Sequence, residues 1–233
     1  MPFLRLPVCT FKNRSIIILS ITNLKGGVGK STIAQNIAVC LRQKGHSVFL
    51  IDTDFELKTT TDWGNDRSPN LVKIDVECVH QDNVTERVLE VADKYDIVII
   101  DGTPALFELS SKAILLSDAV FIPIIPSIEE VRTLERFMKR YKEAKMMKKR
   151  IGGDVEAHII LNKYNQNLRI DREVEDILQE FELPVLKSKI AYRVAYREAK
   201  IEGKGVVEYD DKKAKEEMQK LADEVSAIIQ KYL

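Results

Sequence analysis

The sequence predicts a single α/β domain, a mostly parallel twisted sheet with helices on both faces. Three observations carry this expectation. Short β-branched apolar runs alternate with segments of helical period along the whole chain; a glycine-rich turn joins the first run to the first helix; and aspartates stand where the runs at 48–51 and 97–100 end. Strands covered on both faces read as near-continuous apolar stretches, which is how these runs read. At 233 residues the chain suits one domain with a good core and leaves no room for a second sizeable one. The domain is expected over residues 15–233. Residues 1–14, with Pro2, Arg5, Pro7 and Lys12, are expected to form a short loose arm.

In order, Ile16–Leu19 opens a buried strand that runs toward Thr22, and Ser31 to Lys44 carries Ile33, Ala34, Ile37, Ala38 and Leu41 at helical spacing, ended by Gly45. Val48–Ile51 is a short buried strand closed by Asp52. Val72–Val79 alternates apolar and polar residues and predicts a partly exposed strand. A helix over Val84–Ala92 precedes a central strand, Ile97–Ile100, which ends at Asp101. Strands are expected at Ala119–Ile125 and His158–Leu161, with a long helix from about Ile128 to Lys149 between them. A strand near Val185, a helix over Tyr192–Lys200 and a last helix from Lys212 complete the pattern. In such a sheet, ligands bind beyond the carboxyl ends of the strands.

Composition excludes more than it assigns. Lysine plus arginine and aspartate plus glutamate both number 36, so net charge predicts neither a nucleic acid nor a membrane partner, and any such partner must meet a local patch. Cys9, Cys40 and Cys78 form no metal-ligand spacing and are expected as reduced thiols in a cytoplasmic protein. No apolar run approaches a membrane span, and the first 14 residues lack a signal-peptide core.

The chemistry concentrates at Leu24-Lys25-Gly26-Gly27-Val28-Gly29-Lys30-Ser31-Thr32. Glycines between a strand and a helix let backbone N–H groups turn inward around a polyphosphate, and the helix start adds its positive dipole end. Lys30 can reach the β- and γ-phosphates, and the Ser31 hydroxyl is placed to ligate Mg²⁺. These features together predict a P-loop NTPase. Asp101, at the end of a buried strand, can hold the same ion through water.

Leu24 stands where the general pattern has glycine, and Lys25 follows it. In this the sequence resembles the deviant-loop ParA/MinD-type ATPases, and the resemblance runs from about Ser15 to the C-terminus. It implies that Lys25 reaches across a dimer interface to the partner's ATP, giving catalytic roles to Lys25, Lys30 and Asp54 and nucleotide binding to residues 25–32. Asp101-Gly102-Thr103-Pro104 resembles the family's Walker B and switch segment. Asp52-Thr53-Asp54 resembles its Asp-x-Asp element; there Asp54 positions the attacking water, while Asp52 orders either the Mg²⁺ shell or the loop. Phe55-Glu56 replaces the usual Pro-Gln, which puts the loop geometry and the hydrolysis rate in question. Asn162, after Ile159-Ile160-Leu161, matches the asparagine that reads adenine.

The resemblance implies ATP and Mg²⁺ as cofactors and an ATP-dependent homodimer that binds DNA nonspecifically, associates with the nucleoid, and is released when a centromere-binding, ParB-like adaptor triggers hydrolysis. The chain looks like the small partition type, without a separate operator-binding domain. Two basic clusters are candidates for DNA. One is the run Lys139 to Arg150; the other, preferred on its likeness to the C-terminal part of ParA proteins, is Lys187, Lys189, Arg193 and Arg197. The rival reading is a ParA-like scaffold that positions a protein cargo without DNA. Membrane anchoring is disfavoured: Met218, Leu221, Val225, Ile228, Ile229 and Tyr232 form an apolar stripe, but acids crowd its opposite face. Cluster-ligating cysteines, a CxxC pair and a terminal tyrosine cluster are absent, which argues against the nitrogenase iron protein, iron–sulfur scaffolds and tyrosine kinases of this fold.

Overall fold

Seven parallel strands form one sheet in the order β3-β2-β4-β1-β5-β6-β7, seen in a computed structural model that describes residues 16–80, 82–103 and 107–232, with the backbone alone for 107–110. The strands are β1 (Ile17–Ile21), β2 (Val48–Asp52), β3 (Asp75–Cys78), β4 (Ile97–Asp101), β5 (Ala119–Ile124), β6 (Glu156–Tyr164) and β7 (Ile190–Ala191). The helices are α1 (Lys30–Gln43), α2 (Thr59–Asn65), α3 (Val84–Val91), α4 (Phe107–Leu116), α5 (Ile128–Arg150), α6 (Arg169–Gln179), α7 (Ala195–Ile201) and α8 (Lys212–Ile229). The arm expected at 1–14 and Pro104 of the switch segment lie outside the described residues.

Side chains alternate across a strand, so each central strand feeds two cores. Ile17, Leu19 and Ile21 of β1 join Ile97 and Ile99 of β4 beneath α1, α2, α7 and α8. Ile18, Val98 and Ile100 face α3 and α4, and Val120, Ile122 and Ile124 of β5 face α4, α5 and α6. β1 lies between β4 and β5; its own connection, to β2, leaves toward one side of the sheet and those of β4 and β5 toward the other, so the turn after β1 opens at the point where the strand order reverses.

The stripe of α8 is buried: Met218, Leu221, Val225 and Ile229 pack with α1, and the helix covers the sheet as its acid-rich outer face predicts. Among the described residues no helix is long and apolar enough to cross a membrane.

Three expectations need correction. The strand near Val185 reduces to a single bridge with Ile159, because Pro184 offers only its carbonyl to Ile159 N–H and the chain leaves the sheet after Leu186. The edge strand is shorter than Val72–Val79, spanning Asp75–Cys78. Helices α2, α4 and α6 went unread. For α2 the cause is Thr59-Thr60-Thr61, whose poor helix propensity is overridden by an aspartate that caps the helix from β2.

Arg67, just after α2, ties that helix to the segment before α8. Its guanidinium pairs with Glu208 (2.8 Å), donates to the carbonyls of Val72 and Gly203, and lies over the Trp63 ring. Both charged side chains are almost fully buried. Removing one leaves the other uncompensated, so Arg67→Ala is expected to cost about 3–5 kcal/mol in denaturant unfolding, with Glu208→Ala similar.

His158 on β6 is buried against Phe121 with neither ring nitrogen hydrogen-bonded. Burial lowers its pKa from the usual 6.5, against the opposing pull of Glu156. A base whose folded pKa is depressed binds more protons when unfolded, so stability falls as pH drops below 6.5 toward the folded value. Thermal melts of the parent between pH 8 and 5, read as a difference from His158→Phe, should show that decline.

Candidate functional site

The glycine-rich turn places its amides by backbone conformation. Gly27 and Gly29 have φ of 75° and 95°, the left-handed region that a side chain resists. Gly29 caps α1 with no side-chain hydrogen bond, and no acid stands in the first turn, so the helix start keeps unsatisfied N–H groups for an anion. A Cβ on Gly29 would collide with the Asn162 amide nitrogen, which donates to the Val28 carbonyl at 2.7 Å. One N–H of the amide expected to read adenine thus braces the loop against the end of β6.

Lys30, Ser31, Asp54, Asp101 and Asn162 line one cavity of about 480 Å³, together with Gly27, Gly29 and Thr32. Lys30 is buried and its ammonium donates to the Lys25 carbonyl at 2.8 Å. Burial lowers its pKa, and Asp101, Asp54 and Glu130 oppose that shift. An ammonium kept in a partly desolvated loop attracts an anion more strongly than one in water.

Asp52 and Asp101 end adjacent strands in direct register. Their surroundings separate them. Asp52 is saturated by protein: it accepts from the amides of Asp54 (3.0 Å), Thr60 (3.0 Å) and Thr61 (2.9 Å) and from the Thr61 hydroxyl (3.2 Å). It caps α2, which is the loop-ordering role among its two expected ones. Asp101 accepts from the Thr60 hydroxyl at 2.5 Å through one oxygen, while its other oxygen is buried without a hydrogen-bond partner. Burial pushes its pKa up to about 7, with the hydroxyls of Thr60 and Ser31 holding it down. An orphaned carboxylate oxygen beside a serine hydroxyl fits a hard cation. Among the described residues no cluster of three or more His, Cys, Asp or Glu side chains converges to hold a metal alone. A Mg²⁺ here would therefore share Ser31 and Asp101 with phosphate oxygens.

Asp54 lies half-buried at the cavity wall and turns the chain, accepting from the Leu57 amide at 3.0 Å. The unusual Phe55 points outward, edge-on to His80, with the Lys58 ammonium over its ring. Lys25 lies elsewhere: its ammonium pairs with Glu130 of α5 at 3.0 Å and does not line the cavity.

The chain from Leu19 to Val207 matches the family model described as the CobQ/CobB/MinD/ParA nucleotide binding domain, well over half the sequence. The chain belongs to this family. It is a ParA/MinD-like ATPase. The carboxysome distribution protein A of Halothiobacillus neapolitanus is 27% identical over 89% of this chain and 95% of its own. The sporulation initiation inhibitor protein Soj of Bacillus subtilis is 27% identical over 90% and 98%. Among solved structures, apo McdA of Cyanothece superposes with a TM-score of 0.73 at 17% identity, covering 90% of this chain and 99% of that one. MinD of Pyrococcus horikoshii complexed with Mg-ADP gives 0.69 at 21%, covering 94% and 99%. At these identities the structures establish the fold, and the family has members solved with Mg²⁺ and nucleotide.

The four expected DNA-binding cations line two different depressions, and two of them are paired with acids. Lys189 pairs with Glu175 (2.5 Å) and Arg193 with Glu217, while Glu224 accepts from the Lys187 backbone amide. Arg193 and Arg197 line the nucleotide cavity, whereas Lys187 and Lys189 border an open groove shared with Glu217, Asp223 and Glu224. Three of the seven cations of the Lys139–Arg150 run are likewise engaged: Lys148 is buried and donates to the Ser117 carbonyl, Lys145 pairs with Asp154, and Lys142 pairs with Glu182. α6, α8 and the loops after α6 and before β6 supply these acids, and sequence proximity does not register them.

Sequence reasoning also missed residues at the site. Thr60 holds Asp101, Tyr192 and Tyr196 line the cavity, and Lys163, at φ 53°, donates to the Gly27 carbonyl at 3.2 Å. Glu130 had a signal, Ser127-x-x-Glu130, but that pattern reads as a helix cap.

Replacing Asp101 with asparagine removes a charge whose ionised form burial disfavours. Asp101→Asn is expected to melt higher than the parent at pH 8 without nucleotide, and to bind Mg²⁺-nucleotide about 10–100-fold more weakly by calorimetry.

Proposed function

We propose that this chain is a Mg²⁺-dependent, slowly hydrolysing ATP switch that dimerises with ATP and positions a large cargo, DNA in a partition system being the first candidate. The observation that carries the reading is where the apolar surface lies. Of eleven exposed large apolar side chains among the described residues, seven sit in segments that follow the carboxyl ends of strands, around the phosphate cavity: Phe55, Leu57, Ile128, Leu168, Ile170, Tyr192 and Val194. Apolar surface gathered on one face supports a protein partner there, and a second copy meeting that face would bring two nucleotides together.

Lys30 and the loop amides would hold the phosphates, Ser31 and Asp101 the metal, and Asp54 the attacking water. Bound Mg²⁺ would supply neutralisation of phosphate charge. Lys25 from the partner would add a cation to the charge that develops in phosphoryl transfer, so that turnover depends on dimerisation. Asp52 holds α2 and with it Thr60, and so sets where Asp101 stands. Asn162 would brace the loop and offer its remaining donor and its oxygen to the base. Tyr192 would cover that side.

The relatives named for chromosome partitioning support DNA as the surface on which the switch acts. A specific observation favours the second reading, a protein cargo: Lys142, Lys145, Lys189 and Arg193 of the basic clusters are already paired with carboxylates, and a relative is named for carboxysome distribution. Binding to random-sequence duplex DNA, measured with ATP, with ADP and without nucleotide at two salt concentrations, separates them. ATP-specific binding that weakens steeply with salt is the partition outcome. ATP-dependent dimers that ignore DNA at both salts would leave cargo positioning through protein contacts.

Asp54→Ala is expected to lower ATP turnover by about 10²-fold or more while ATP dimers persist. Unchanged turnover would remove Asp54 from the mechanism.

A further inference from the structure

Glu130 stands in the first turn of α5 with 1% of its side chain exposed, while the ammonium it faces belongs to a Lys25 side chain that is 44% exposed. Its backbone N–H is held by the Ser127 hydroxyl at 3.2 Å, yet its carboxylate turns inward to Lys25 and Asn23. The Asn23 amide, which gives one N–H to the Pro123 carbonyl at 2.7 Å, is a weak partner through the other because it stands 3.5 Å away. The oxygen facing Lys25 has no hydrogen bond of good geometry, so the ammonium 3.0 Å away acts on it as a charge. A carboxylate buried this far needs a cation, and Lys25 is the one beside it. Asn23 also fixes the other end of the contact, since its side-chain oxygen accepts the Lys25 backbone N–H at 3.1 Å. The lysine is thus held at both its backbone and its ammonium by one small polar cluster.

We propose that Glu130 is a positioning residue that keeps Lys25 in cis on its own subunit, releasing it only to the triphosphate of a second copy. This rests on the reading above that Lys25 acts across a dimer. Glu130 does not line the nucleotide cavity, so its effect reaches the partner's phosphates through Lys25. Release leaves a buried anion with only the long Asn23 contact and the more distant charge of Lys30, which sets a threshold. A γ-phosphate adds charge that a diphosphate lacks, so the ion pair sharpens the difference between ATP and ADP as triggers of assembly.

Two measurements on the full chain test this. The first is the rate at which an amine-reactive ester labels Lys25 without nucleotide, read by mass spectrometry in the parent, Glu130→Gln and Glu130→Asp. Glu130→Gln should label about fivefold faster or more, as expected for an ammonium released from a buried partner. Glu130→Asp should stay closer to the parent. The second is sedimentation with ATP and with ADP. Glu130→Gln should dimerise about tenfold more tightly with ATP and begin to dimerise with ADP. Loss of selectivity is a readout that a merely destabilising substitution would not move in this direction.

Unchanged labelling in Glu130→Gln overturns the cis contact, even if Lys25→Ala still abolishes dimers and so upholds the dimer reading. Faster labelling with unchanged dimerisation also overturns the proposal. If Lys25→Ala then dimerises and turns over like the parent, the trans role of Lys25 falls with it. Should Glu130→Gln melt too low to assay, Glu130→Asp carries the same comparisons with smaller shifts of the same sign.

Discussion

Two carboxylates buried side by side at the carboxyl edge of the sheet constrain everything around them. Asp52 and Asp101 stand in register on β2 and β4, and two anions so placed cannot both remain unpaired in a dry environment. The chain resolves this by treating them differently. Asp52 is saturated by the amides that start α2, so it becomes part of the frame. That frame carries the Thr60 hydroxyl to one oxygen of Asp101 and leaves the other oxygen bare toward the nucleotide cavity. Burial then raises the pKa of Asp101, a cost that a cation at the same point would relieve. The phosphate loop lies across the same edge because β1 pairs directly with β4.

The cations of the site are arranged with similar economy. Lys30 spans the loop from beneath and Lys163 rests on its outer side, each donating to a loop carbonyl. Lys25 faces away, toward α5. A lysine committed to an anion in its own subunit is less available to a neighbour's, so the monomer and any assembled form must differ at this contact. The same economy governs part of the surface: Lys189 and Arg193 near β7, and Lys142 and Lys145 of α5, find carboxylates on α6, on α8 and in the loops after α6 and before β6.

Much of the fold was legible because its signals are local. The β-branched runs, the helix periods of α1, α5 and α8, and the glycines before Lys30 each declare themselves within about twenty residues. The unread helices show the limit. α6 has two fully buried apolar side chains, Val174 and Leu178, among charges, and α2 depends on a cap from a strand in another part of the chain. The pairing of the basic clusters was illegible for a related reason: the neutralising partner of Lys189 lies 14 residues away and that of Arg193 lies 24 away. Glu130 was visible as a letter in a capping pattern, but its true partner stands 105 positions earlier on another loop.

By itself, then, the sequence determined the parallel α/β architecture, the phosphate loop with its lysines, and the acids at the ends of β2 and β4, because these rest on backbone conformation and short-range periodicity. Only the tertiary structure decided which acid is saturated and which keeps a free oxygen, where Lys25 points, and which cations remain to meet a partner. Charge pairing depends on distance in space, and in this fold the sheet brings together side chains separated by tens to hundreds of residues along the chain.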